Sequence, residues 1–276
     1  MLGKLLKHEF TATGRQMLPM FGVLAGLVVL ANISVLMLQR EIGGLLALLF
    51  IFVLIATFIA VIVAELMPII VMVIRFYKNL LRDEGYLMHT LPVSVHELIW
   101  SKLIVSLVWF LATNLAIFLL GGLSALFQSG TDLGEIFRSF PSLAELQEMV
   151  PEITRLNVTG FALEFAAALI LAGIVTCLHF YAAMSLGHMF SKDKVLYSIL
   201  FFIAIDIVFN VIGNLLGAAG VYAVRTNVQV ESLEQAIDSL NAVLAVIGSG
   251  LVLLAIRGAI LYVLTVLGLR KGLNLA

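Results

Sequence analysis

The chain has 276 residues, of which 62% are hydrophobic and 12% charged, and its formal net charge is −1. An average soluble domain carries about twice that share of charge, so a water-soluble globule is excluded. The single cysteine, Cys177, rules out an internally cross-linked secreted scaffold, and the near-neutral charge argues against a nucleic-acid partner. The composition is that of an all-α polytopic membrane protein, and its few charged residues become the informative ones.

Residues 1–16 read as an interfacial helix. At about 100° per residue, Leu2, Leu5, Leu6, Phe10 and Met17 share one arc, and Lys4, Lys7, His8 and Arg15 share the other. An apolar face with a basic rim lies well in the headgroup layer. Glu9 falls inside the apolar arc. It is either one imperfect position of a surface helix or the partner of a basic group in the loop that begins at Arg75.

Six apolar stretches then follow, at 17–38, 44–74, 98–127, 161–189, 195–222 and 242–269. Each reaches the roughly 20 residues a helix needs to cross the hydrocarbon core. The first is too long for a cleavable signal, and no small-residue cleavage site follows it. Gly22-x-x-x-Gly26 within it reads as a close helix contact. Pro68 removes a backbone hydrogen bond from the second stretch and predicts a kink there.

Orientation follows from Lys and Arg. One side carries Lys4, Lys7, Arg15, Arg75, Lys78, Arg82, Lys102, Lys192, Lys194, Arg270 and Lys271, and the other only Arg40, Arg138, Arg155 and Arg225. Both termini are therefore expected in the cytoplasm. One membrane domain covers 1–276, with a cytoplasmic loop at 75–94 and acidic outer loops at 128–160 and 223–241. Ser142-x-x-Glu145 and Ser232-x-x-Gln235 have capping-box spacing, so each outer loop is expected to hold a short helix.

The 75–94 loop is strongly punctuated. Asn79 to Glu84 can form a short charged helix, Gly85 suits a helix C-terminal stop, and Pro92 keeps Leu91 extended. Ser94 and Glu97 have capping-box spacing, which predicts the start of the third span at Ser94. The dense aromatic and charged run before Gly85 exceeds what a short connection needs.

Charges inside spans are costly and usually have a partner or a wet cavity. Here they are Glu65, Asp206 and Arg257, with Glu164 near the outer end of the fourth span. By depth, Asp206 is the better partner for Arg257 and Glu65 the second. Asp206, Asn210 and Asn214 recur every four residues beside Gly213 and Gly217. That stripe reads either as helix packing through small residues and amides or as a polar wall of a transport pathway.

Several chemistries lack their motifs. No G-x-x-x-x-G-K-[ST] phosphate loop and no H-E-x-x-H zinc site occurs. Cys177, His179 and His188 in or near the fourth span do not share a helical face, so a metal site is not expected. Asn157-Val158-Thr159 matches the short and unspecific glycosylation pattern.

The order Asp83-Glu84-Gly85-Tyr86, Leu91-Pro92-Val93-Ser94, Glu97-Leu98 and Ser101-Lys102 resembles the permease subunits of type-2 ABC exporters. The opening Lys4-Leu5-Leu6-Lys7-His8-Glu9-Phe10 with Gly14-Arg15 resembles small permeases of this group from Gram-positive bacteria. The resemblance implies an exporter subunit of the bacterial plasma membrane that pairs with a second permease, as a homodimer or heterodimer, and with a separate ATP-binding subunit. No cofactor would be bound directly, since ATP and Mg belong to that partner. Asn79, Leu80, Arg82, Asp83 and Glu84 would form the docking surface, with Gly85 and Tyr86 ending it. The 1–16 helix would be the connecting helix. Spans two and five would line the pathway, which favours Glu65, Asp206, Asn210 and Asn214 as pathway candidates, with Arg257 of the sixth stretch beside them as a further intramembrane polar residue.

Other classes remain as readings of the same residues. A secondary transporter would run on protonation of Asp206 or Glu65. A membrane scaffold or immunity protein would have no turnover. An intramembrane enzyme would need a nucleophile–base pair or a metal cluster at depth, and the sequence offers neither. A mostly apolar pathway suits a lipid, a peptide or a hydrophobic drug.

Overall fold

The computed structural model describes residues 2–40, 42–81, 93–130, 157–190, 192–227 and 233–271, and for 219–227, 233–236, 238–239 and 271 the backbone only. The helices are α1 (Leu2–Gln39), α2 (Leu45–Phe76), α3 (Val95–Ser129), α4 (Val158–Gly187), α5 (Lys194–Asn227) and α6 (Leu233–Lys271). A π-helical turn, Tyr77–Leu81, prolongs α2. No strand occurs among the described residues. All six helices are long and apolar enough to cross a membrane, which makes the chain a multi-pass membrane protein.

Its exterior fits that solvent. Leu45 is 83% exposed, Phe118 76% and Leu215 69%, a surface that lipid covers and water does not. The hydroxyls are satisfied locally: Thr57, Thr113 and Ser124 each donate to the carbonyl four residues back, at 2.8, 2.9 and 2.9 Å. Such back-bonding lets a polar side chain sit on a helix in hydrocarbon without an orphaned donor.

Two boundaries differ from those the sequence suggests. The interfacial segment and the first span form one uninterrupted helix, Leu2–Gln39, which runs through Pro19. A proline removes one rung of the ladder, and the turns on either side remain bonded. By contrast α2 runs through Pro68 to Phe76, close to the bounds expected for the second apolar stretch. At the other end of the chain, α5 and α6 extend into the 223–241 segment, and Ile237 of α6 is buried at 4% exposure. Ser142, Glu145, Ser232 and Gly85 lie outside the described residues.

The start of α3 follows its sequence signal. Ser94 Oγ accepts from Glu97 N at 3.2 Å, and the Glu97 carboxylate accepts from Ser94 N at 3.1 Å. Two orphan amides of the first turn are thereby satisfied. The helix ends at Gly130, whose φ of 66° is cheap only for glycine.

The helices sort into two compact units. In the first, α1, α2 and α3 pack on one another. Contacts from residue 9 to 75 and from 27 to 57 make α1 and α2 antiparallel. Contacts from 13 to 109 and from 32 to 124 make α1 and α3 parallel. The indole of Trp109 fills this core. Its Nε1 donates to Thr13 Oγ1 at 2.8 Å, Phe10 and Phe21 flank it, and Gly14 leaves room for its ring at 3.6 Å.

The second unit holds the π-helical turn and α4, α5 and α6. Its most extensive contact is between α4 and α6. These two helices run parallel, since Gly258 meets Val175 and Gly268 meets Ser185 ten residues further along each. A Cβ on Gly268 would lie 3.0 Å from the backbone carbonyl carbon of Ser185, and a Cβ on Gly187 would lie 2.6 Å from Ser198 Cα. The close approaches of the second unit therefore run through these glycines. Gly22, Gly26, Gly213 and Gly217 have nothing within 4 Å of a Cβ added to them, so the small-residue pairs that the sequence brings forward make no close contact among the described residues.

Candidate functional site

Two groups of polar side chains stand out, one in each unit. The first is centred on Glu9. Its carboxylate is buried at 5% exposure, its Oε2 accepts from Arg75 Nε at 2.8 Å, and its Oε1 accepts from Lys102 Nζ at 2.8 Å. Arg75 ends α2 and Lys102 lies two turns into α3, so one carboxylate ties three helices at one end of the unit. The position that breaks the apolar arc of the first helix is thus the centre of a charge cluster. Buried charges persist only when paired and hydrogen-bonded, and here both carboxylate oxygens are used. Arg75 leads into the segment that resembles a docking loop. Lys102 belongs to the Ser101-Lys102 element of the same resemblance.

Of the docking residues, Asn79 and Leu80 lie in the π-helical turn and are buried, at 9% and 0% exposure. Lys78 of the same turn is exposed. Arg82, Asp83, Glu84, Gly85 and Tyr86 lie outside the described residues.

The second group joins α4, α5 and α6 in their interior, away from the helix ends. Arg257 Nη2 donates to His179 Nδ1 at 2.8 Å and reaches Asp206 Oδ1 at 3.5 Å. His179 Nε2 lies 3.0 Å from the Phe202 carbonyl oxygen. An arginine nitrogen can only donate, so His179 Nδ1 is the acceptor and its Nε2–H donates to Phe202: the ring is the neutral Nε2–H tautomer. The Phe209 ring lies 5.0 Å from the guanidinium carbon, within cation–π range. The side chain of Asp206 is 49% exposed, so the pair is not the sealed ion lock that two intramembrane charges invite. Beside these groups lies an open cavity of about 290 Å³, walled largely by apolar and aromatic side chains of the three helices.

The remaining intramembrane candidates are more scattered. Glu65 accepts from Asn114 Nδ2 at 3.2 Å within the first unit. Asn210 is exposed and donates to its own helix, at the Asp206 carbonyl. Asn214 is also exposed. The stripe thus reaches the cavity only through Asp206. Glu164 has one carboxylate oxygen buried without a partner.

Sequence reasoning missed His179 as the nearest partner of Arg257. The usable signal was depth, since counting back from the cytoplasmic ends expected for the fourth and sixth spans puts His179 and Arg257 at a similar level. Among the described residues, no group of three His, Cys, Asp or Glu comes together to hold a metal. Cys177 is buried as a free thiol, and His188 Nδ1 bonds the Met184 carbonyl at 2.9 Å. Compared with known proteins, the chain matches no family model, no curated sequence and no solved structure.

Proposed function

We propose that this chain is the permease subunit of an ATP-driven exporter, oriented with both termini in the cytoplasm and coupled to a separate ATP-binding subunit. The observation that carries the reading is the ordered set of elements from Asp83 to Lys102, repeated in kind by the opening Lys4–Arg15 segment. The clamp of Glu9 on Arg75 and Lys102 supports it physically. A docking segment transmits force only if its root is rigid, and the clamp fixes the end of α2 from which that segment emerges. Closure of the partner on Arg82, Asp83 and Glu84 then tilts α2 and its neighbours together, a shear of packed helices. The cavity beside Arg257 and Asp206 serves as part of the pathway.

The test is co-expression with a candidate ATP-binding subunit encoded beside the gene. Reversing the charges of Arg82 and Glu84 is expected to abolish complex formation and ATP-driven transport. Survival of both through the two changes overturns the docking assignment.

The second reading is a proton-coupled transporter, favoured by one observation, the half-exposed Asp206 carboxylate at an intramembrane cavity. Transport driven by a pH gradient in vesicles without nucleotide would establish it. Strict dependence on ATP would remove it.

A further inference from the structure

A guanidinium offers five N–H donors in a planar fork. Arg257 uses one nitrogen of its fork. Its Nη2 meets His179 at 2.8 Å and Asp206 at 3.5 Å, while its Nε is buried with no partner. The His179 ring is neutral in this geometry and supplies no counter-charge. Asp206 supplies one, but through a single long contact from a side chain 49% exposed. The Phe209 ring also faces the guanidinium at 5.0 Å, but a ring carries no full charge, and in hydrocarbon a cation without a close counter-charge is costly unless another anion or water meets it. The neighbouring cavity of about 290 Å³ is bounded by Val175, Phe180, Phe202 and Leu254 as well as by the charged pair. Its size is at the lower end of small-molecule sites. That is room for a head group and the first part of a chain, and Ile203 and Ile207, next in sequence to the lining residues Phe202 and Asp206, are exposed.

We propose that this cavity is a binding site for the carboxylate of an otherwise apolar molecule. The carboxylate takes the two terminal nitrogens of Arg257, Nη1 and Nη2, in place of the single contact from Asp206, while the buried Nε stays out of its reach, and the apolar body lies against Phe180, Phe202 and Leu254. Planar two-point pairing is what arginine does best with carboxylates. A phosphate would bring a second negative charge to a site that has one cation and one competing acid. Two sources share this chemistry, a fatty acid of the bilayer and the C-terminus of an apolar peptide. The proposal rests on the permease reading, because it names the head group of the cargo, but binding itself needs neither the partner subunit nor nucleotide.

The test uses the full purified chain in detergent micelles and measures binding of radiolabelled probes. One arm compares oleate with oleyl alcohol, and the other compares N-acetyl-trileucine with its C-terminal amide. In at least one arm the acid is expected to bind one per chain, about tenfold or more tighter than its neutral counterpart. Arg257→Gln loses that preference. Asp206→Asn removes the competing acid and tightens binding several-fold, a change of sign that mere damage to the fold does not produce. Equal binding of acid and neutral probes in both arms overturns the proposal, and so does weakening by Asp206→Asn. Should Arg257→Gln fail to fold, the sign of the Asp206→Asn effect decides. Charge-reversed Arg82 and Glu84 variants separate the two claims. If they lose ATP-driven transport and keep the acid preference, the site and the docking assignment both stand. If they keep transport, the docking assignment falls while the binding result stands on its own.

Discussion

Replacing Glu9 by Gln tests the charge cluster most directly. The side chains of Glu9 and Lys102 are only 7% and 4% exposed, and each contact to the carboxylate is 2.8 Å. Breaking a buried pair from one side costs about 3–5 kcal/mol, because a desolvated charge stays behind without the group it faces. Arg75 is 23% exposed and relaxes toward water more easily, so most of the loss is expected on the Lys102 side. The amide of Gln keeps the volume and one acceptor oxygen, which places the expected loss near the lower end, about 3 kcal/mol. Unfolding in mixed micelles can be followed by fluorescence of Trp109, which bonds Thr13 one turn from Glu9. A cycle with Lys102→Met isolates the pair: the double variant is expected to recover about 1–3 kcal/mol relative to the sum of the single losses. A loss below about 0.5 kcal/mol for Glu9→Gln, the size of an ordinary surface change, or strict additivity in the cycle, refutes the argument that this carboxylate holds three helices together.

Four further outcomes follow. Gly187→Ala places a methyl against the Ser198 backbone, which cannot rotate away, and is expected to destabilise by about 1–3 kcal/mol in the same unfolding assay. Gly213→Ala, with open space around it, is expected to be neutral or slightly stabilising through helix propensity. Ser94→Ala removes the cap of α3 and is expected to cost about 1 kcal/mol, with Glu97→Gln costing less. Single cysteines placed at Lys4, Lys192 and Arg270 in a Cys177→Ser background are expected to resist a membrane-impermeant thiol reagent in intact cells and to react after lysis; labelling from outside would reverse the orientation derived from Lys and Arg.

The parts of this molecule legible in the sequence were those with a local cause. Apolar runs gave the six helices because the bilayer sets one length scale for all of them. Ser94 and Glu97 announced the start of α3 because a capping box is closed by residues three apart. Glu9 was legible as a disturbance, a charge in an apolar arc, and its partner Arg75 fell in the expected loop. Lys102 was not foreseen as part of the same cluster, since a pairing 93 residues distant leaves no trace in spacing. His179 was weighed beside Cys177 and His188 on its own helix, when its functional neighbour stands on α6. The glycines illustrate the same limit. The GxxxG pair of α1 has the pattern of a contact and makes none among the described residues, whereas Gly187 and Gly268, with no pattern at all, sit where helices approach closely. Burial of Asn79 and Leu80 was equally invisible, because a charged loop sequence does not say which way its first turn faces.

The unbroken course of α1 has a mechanical consequence. At about 1.5 Å per residue, its 38 residues make a rod near 57 Å long, while the hydrocarbon core is only about 30 Å thick. Almost half of the rod projects past that core or lies along its boundary. A lever of that length turns a tilt of about 10° into a displacement of about 5 Å at its tip. Because Glu9 fastens the rod to α2 and α3 within this projecting part, the three helix ends swing as one body, and a small rotation at mid-membrane arrives at the membrane face as a movement as large as a helical turn.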